Sequence, residues 1–184
     1  RYKGVPVSVQ GTGMGMPSMG IYSWELMESY GVQKLVRVGT AGSFHEDVKV
    51  RDIVIGVSAS TDSNYAHTFD IPGTFAPAAS FDLLLAADKA ASKLGLSYRA
   101  GNILSGDVFY ELTDDWWKKW KRMGTLAVEM EAAALYMNAA YLKRDALTIL
   151  TISNHFVTGE ETTNQERETT FTNMMKLALE TVIA

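Results

Sequence analysis

Val7-Ser-Val-Gln-Gly-Thr-Gly-Met-Gly-Met-Pro-Ser-Met-Gly20 is the stretch from which the rest of the chain is read. The alternation from Val5 to Val9 predicts a strand, and Gly11, Gly13 and Gly15 end it in a tight turn. Ser18 follows, and the apolar spacing through Ile21, Trp24 and Leu26 predicts a helix that stops at Gly31. Glycines let a backbone approach a ligand closely, and the start of a helix presents unpaired N–H groups at its positive end. The spacing is not that of the dinucleotide-binding fingerprint, which needs G-x-G-x-x-G opening a helix and an acidic residue downstream. On these residues alone a plain tight turn and a ligand loop are both open.

Outward from this joint, strands and helices alternate. Strands are predicted over Lys34–Val38, Asp52–Ser58, Tyr98–Leu104, Leu126–Met130 and Ala146–Ile152. Helices are predicted from a Ser80 cap to Gly95, over Trp116–Met123 behind Thr113-Asp-Asp, over Glu131–Leu142, and as one final helix from Asn164 to Val182. Residues 64–77 mix Gly, Pro, Asp and His and read as a loop. No internal repeat or linker interrupts the pattern. Strands rich in Val, Ile and Leu between helices make an α/β fold with a mostly parallel sheet covered on both faces.

The 184 residues suit a single domain, 1–184. With 47% apolar and 21% charged residues the balance is that of a globular protein. A net charge of −4 argues against a nucleic-acid surface and against anionic membranes. No cysteine is present, so disulfides, thiolate metal sites and thiol nucleophiles are excluded. No apolar run has the length of a membrane span and no signal peptide leads the chain, so a cytoplasmic location is expected.

Ligands of such sheets sit at the carboxyl ends of the strands. Arg37 lies inside the apolar run Leu-Val-Arg-Val-Gly, and a guanidinium is rarely buried without an anionic partner. That partner is either a protein carboxylate or a bound oxyanion, with Thr40 and the glycine amides as further donors. Glu129 and Glu131 flank Met130 at a strand-to-helix corner. They either favour a helix start through its dipole or accept the hydroxyls of a vicinal diol such as a ribose. Met14 and Met130 offer soft apolar contact to a sugar face, and Phe109 offers a ring to stack on a flat heterocycle; all three are otherwise core residues. Trp116, Trp117 and Trp120 among lysines read as an amphipathic helix with its rings turned inward. The three histidines have no metal spacing, Ser153-Asn154-His155 is no triad, and Arg167 by spacing alone is a surface arginine.

Taken in order, Gly11-Thr-Gly-Met-Gly-Met-Pro-Ser18, Arg37-Val-Gly-Thr-Ala-Gly42, Val128-Glu-Met-Glu-Ala-Ala133, Thr158-Gly-Glu-Glu-Thr-Thr163 and Glu166-Arg-Glu-Thr-Thr-Phe171 closely resemble the bacterial hexameric purine nucleoside phosphorylases. The resemblance covers the whole chain. It implies a three-layer α/β/α fold with a mixed, mostly parallel central sheet, and reversible phosphorolysis of purine ribo- or deoxyribonucleosides. It implies phosphate contacts from Arg37, Thr40 and Gly15, and ribose contacts from Met14, Glu129, Met130 and Glu131. A base pocket of Ala41, Gly42, Phe109, Val128 and Ser153 follows in the same way. Inorganic phosphate is the co-substrate, no metal or organic cofactor is implied, and the assembly implied is a homohexamer built as a trimer of dimers. Hydrolases of the superfamily resemble the rest of the pattern but lack the arginine at position 37. Uridine phosphorylases share it but not the Glu-Thr-Thr and Glu-Arg-Glu-Thr-Thr-Phe run.

Two departures stand against the family pattern. The family's catalytic aspartate, which protonates purine N7, is replaced by Asn154, while Arg167 matches the arginine that helps to place it. An amide donates a hydrogen bond to N7 or to a 6-oxo group but delivers no proton, so either a preference for inosine and guanosine or a weakened activity is expected. The chain also opens at Arg1, and the family's front segment, with its glycine- and arginine-containing phosphate loop, is expected to be missing from the domain. The arginine and histidine lent by a neighbouring subunit are expected to be missing with it. Were Arg1 the true start, poor phosphorolysis would follow. A uridine phosphorylase, a nucleosidase and a catalytically silent nucleoside-binding subunit are the alternative readings.

Overall fold

Five runs of Val, Ile and Leu form the strands β1 (Lys34–Ser43), β2 (Ile53–Thr61), β3 (Arg99–Ser105), β4 (Ala127–Glu129) and β5 (Asp145–His155) in a computed structural model. It describes residues 1–169 and 171–184, and not the side chains of residues 168 and 169. The strand order is β1-β4-β3-β2-β5, and β5 returns to β1, so the sheet closes on itself. The pairs β1/β5, β2/β3 and β3/β4 are parallel, whereas β1/β4 and β2/β5 are antiparallel. The sheet is mixed and mostly parallel, as expected. Its closure comes from the two antiparallel seams.

Around it lie α1 (Met16–Glu28), α2 (Phe81–Leu94), α3 (Trp117–Arg122), α4 (Ala132–Leu142), α5 (Asn164–Thr169) and α6 (Thr172–Val182). On β5, Leu150 and Ile152 join Met16, Met19, Ala132 and Leu135 of α1 and α4 in one core. Leu147 and Ile149 join Leu83, Ala87, Leu177 and Ala178 of α2 and α6 in another. Alternate residues of one strand thus enter opposite cores, which is why its sequence is an unbroken apolar run. Helix α4 is buried from Ala132 to Ala139, and its alanines let it lie close against the sheet. At the strand ends, Phe44, Leu104 and Trp117 form a third cluster with Trp116, Trp120, Val128 and Phe156, so the tryptophans of α3 do face inward. Among the described residues no helix is long and apolar enough to cross a membrane.

Three expectations are corrected. Val5–Val9 forms no strand: Tyr2 and Val5 pair with each other in a tight turn, and Val9 is 89% exposed. An alternating pattern without a neighbouring strand to pair with has nothing to hold it. The loop over residues 64–77 contains a 3-10 turn, Tyr65–Phe69. The final helix is divided into α5 and α6: Phe171 adopts a non-helical conformation and is buried beside Met174 and Leu177. Residue 170, which a continuous helix would include, lies outside the described residues.

The N-terminal turn is tied down by Glu180 of α6. Its buried carboxylate pairs with Lys3, accepts the Tyr2 hydroxyl at 2.5 Å and lies 3.3 Å from Lys93 of α2. The Lys3 ammonium and the Tyr2 hydroxyl, with Lys93 behind them, hold this carboxyl below its ordinary 4.5, at about 2. Between these two values the unfolded chain binds more protons than the folded one. Stability therefore rises with pH across that window and is lost as the pH falls through it. Glu180→Gln is expected to flatten the pH dependence of the urea midpoint between about pH 2 and 4.5. An unchanged slope would show that the clamp contributes nothing.

Candidate active site

Arg37 stands on the β1 face shared with Leu35 and Ala41, and its guanidinium is directed at the corner where β4 becomes α4. Its Nη2 pairs with Glu131 and lies 3.2 Å from Glu129 Oε2. The three side chains are 11%, 8% and 0% exposed for Arg37, Glu131 and Glu129. Two carboxylates and one guanidinium leave an excess negative charge in a nearly dry site. Two helix starts offset it. Glu129 accepts the backbone N–H groups of Glu131 and Ala132 at 2.9 and 3.0 Å, and so caps α4. Glu131 Oε1 accepts the Gly15 N–H at 2.6 Å, and Oε2 accepts that of Met130 at 3.2 Å. Gly15 is the residue on which α1 begins, with φ 87° and ψ 157°, a conformation open to glycine and costly for other residues. The glycine turn and the distant Glu131 are thereby one structure.

The two carboxylates differ in what they have left to give. Every oxygen of Glu129 is engaged, Oε1 also by the Ser105 hydroxyl at the end of β3, which in turn accepts the Ala133 N–H at 2.9 Å. Burial pushes the Glu129 carboxyl above the usual carboxylate range, against the pull of Arg37 and Ser105. Among the described residues Glu131 is held only by Arg37 and two backbone amides. Arg37 itself is unevenly used: Nη1 is buried and has no hydrogen-bond partner among the described residues. Of the two partners open to a buried guanidinium, the protein carboxylate is present on Nη2, and Nη1 is left without a partner among the described residues.

A second group gathers around Gly42, which pairs with Val128 of β4 on one side and Asn154 of β5 on the other. A β-carbon at Gly42 would collide with the Phe156 ring and lie 2.8 Å from the Asn154 amide nitrogen. Ser153 donates to the Ala41 carbonyl at 3.4 Å and to Asn154 Oδ1 at 3.2 Å. Ala41, Gly42, Val128, Ser153 and Asn154 are therefore brought together at the ends of three neighbouring strands. Arg167 of α5 reaches Glu161 at 2.6 Å and Thr162 Oγ1 at 3.1 Å. Glu161 bridges to Asn154 through the backbone, so Arg167 grips the segment beside Asn154 and not its side chain.

Met14 and Phe109 stand apart, 84% and 71% exposed, the latter edge-on to Tyr110. Thr40 is exposed and Met130 half-buried. A shallow cleft of about 380 Å³ on the outer side of α1, lined by Pro17, Ile21, Trp24 and Tyr65 among others, does not reach the Arg37 cluster. Among the described residues no group of three or more acidic or histidine side chains is placed to hold a metal ion. Two residues of the site were not legible in sequence. Ser105 follows the predicted strand Tyr98–Leu104, and its bond to Glu129 spans 24 positions. Gly39 lies under the Arg37 guanidinium, where any β-carbon would strike Nη1.

Residues 1–184 match the model of the phosphorylase superfamily. The chain is 56% identical over 181 residues to a purine nucleoside phosphorylase DeoD-type of Clostridium beijerinckii, covering 98% of this chain and 76% of the relative. It is 53% identical over 182 residues to one of Geobacillus sp. and 55% identical over 183 residues to one of Bacillus cytotoxicus, each covering 99% of this chain and 77% of the relative.

Gly39→Ala tests the packing of the guanidinium directly. The added methyl is expected to displace Arg37 from Glu131 and to cost about 1–3 kcal/mol of stability, measured by urea unfolding. Wild-type stability in the variant would show that the guanidinium is free to move aside.

Proposed function

The chain belongs to the phosphorylase superfamily, and from that membership we infer that it is a purine nucleoside phosphorylase. The reading is carried by one observation: identity above 50% to enzymes of that name extends over 98–99% of the chain. A phosphate oxygen attacks C1′ of the bound nucleoside while the C1′–N9 bond breaks, and its electron pair leaves with the purine. The transition state resembles an oxocarbenium ion, so it needs an anion close to the sugar and a leaving base relieved of its charge.

In this chain Arg37 supplies the anion contact through Nη1, which has no partner among the described residues, with the Thr40 hydroxyl beside it and the Gly15 amide joining once Glu131 releases it. Glu131 takes the sugar hydroxyls. Glu129 holds α4 and the guanidinium in place, and Met14 and Met130 contact the sugar. Ala41, Gly42, Val128 and Ser153 receive the base, with Phe109 folding over it. Asn154 donates from its amide to N7 or to a 6-oxo group, and Arg167 steadies the adjoining segment. The reaction needs no metal and no organic cofactor. A cytoplasmic homohexamer, arranged as a trimer of dimers, is the assembly we propose, and the chain acts within it as one domain.

Asn154 favours a second reading in which the activity is weakened, since an amide transfers no proton. One set of assays separates the two. Hypoxanthine is expected to be released from inosine only when phosphate is present, with adenosine turned over more slowly. Asn154→Asp is expected to raise adenosine turnover by about 10²-fold or more, the usual worth of a general acid. Arg37→Ala is expected to lower kcat/KM for phosphate by about 10²-fold or more. Inosine bound without phosphate-dependent release would instead make the chain a nucleoside-binding subunit. Fast adenosine turnover with no gain from Asp would remove the role given to Asn154.

A further inference from the structure

The Arg37–Glu131 ion pair joins the group that faces phosphate to the group that faces the sugar, and each is committed to the other. Oxyanions are gripped best by two parallel N–H groups of a guanidinium. Nη1 offers one donor, but Nη2 is taken by Glu131 and Glu129, so a two-pronged grip requires Glu131 to yield. A vicinal diol in turn needs both oxygens of its carboxylate. In Glu131, Oε1 accepts only from Gly15 among the described residues, but Oε2 already accepts from Arg37 and Met130, so a diol that takes both oxygens competes with the guanidinium at Oε2. Each ligand breaks the same bond. Once the first has broken it, the second binds without that cost.

Resting on the phosphorylase reading, we propose that the Arg37–Glu131 pair is a lock opened once and shared, so that phosphate and nucleoside each tighten the binding of the other. Glu129 stays 3.2 Å from Nη2, so the guanidinium keeps a carboxylate neighbour when Glu131 turns away. Gly15 gives the lock a second consequence. When Glu131 takes the sugar, the amide at the start of α1 loses its acceptor and becomes a donor for the arriving anion. The coupling is a property of equilibrium binding and is equal in both directions.

Sulfate, a tetrahedral anion that does not phosphorolyse, and inosine serve as probes in isothermal titration calorimetry. Inosine is expected to bind about fivefold or more tightly in saturating sulfate, and sulfate to tighten by the same factor in saturating inosine. With 2′,3′-dideoxyinosine, which has no hydroxyls for Glu131, the factor is expected to fall to about one. Glu131→Gln, whose neutral amide holds the guanidinium less firmly than a carboxylate, is expected to bind sulfate alone more tightly than the wild type. If both probes bind with a factor near one, the lock is overturned and the phosphorylase reading stands. Equal coupling for the two nucleosides, or weaker sulfate binding by a folded E131Q, overturns it as well. If dideoxyinosine does not bind, the E131Q titration decides. Failure of sulfate or inosine to bind at all removes the phosphorylase reading and the lock together.

Discussion

A guanidinium with two carboxylates beside it, almost out of water, is the constraint on which the other parts of this structure depend. Removing such charges from water costs several kcal/mol per ion (roughly), and their mutual attraction returns that only when every remaining lone pair and proton is met. Here the excess negative charge is met by backbone. The first amides of α4 close on Glu129, and the amide that opens α1 closes on Glu131. The site is therefore the place where two helices begin and two strands, β3 and β4, end. Neither helix could shift along the sheet without exposing a charge.

The rest of the fold serves this junction. The register of β3 against β4 sets Glu129 opposite Ser105, and the turn into α4 brings the first helix amide onto the same carboxylate. Gly39 leaves space for the guanidinium to lie along β1, and Gly42 lets Asn154 and Phe156 close on the strand end. The two antiparallel seams curl the sheet so that β1, β3, β4 and β5 deliver their ends to one side. The chemistry sits where the alternation of cores stops and backbone groups become available.

Asn154 lies outside the charged junction and is held differently. Its side chain accepts from Ser153, and its backbone is bridged to Glu161, which Arg167 grips in turn. Ser153 and the bridged Glu161 backbone set the direction in which this amide points. These contacts are separate from the carboxylates that hold Arg37.

Sequence alone determined the alternation of strands and helices, the strand ends worth reading, and the family to which their residues point. These are local matters: apolar runs, glycine and serine boundaries, and ordered motifs. Tertiary structure decided the partners. Arg37 is 94 positions from Glu131, and Glu131 is 116 from Gly15, so no periodicity relates them. It also decided what propensity misjudged. Val5–Val9 has the alternation of a strand but no neighbouring strand among the described residues, and Phe171 leaves the helical path where its ring is buried. A side chain's preference is written in its own chemistry, whereas its partner is chosen by which chain segments the closed sheet brings within a few ångströms.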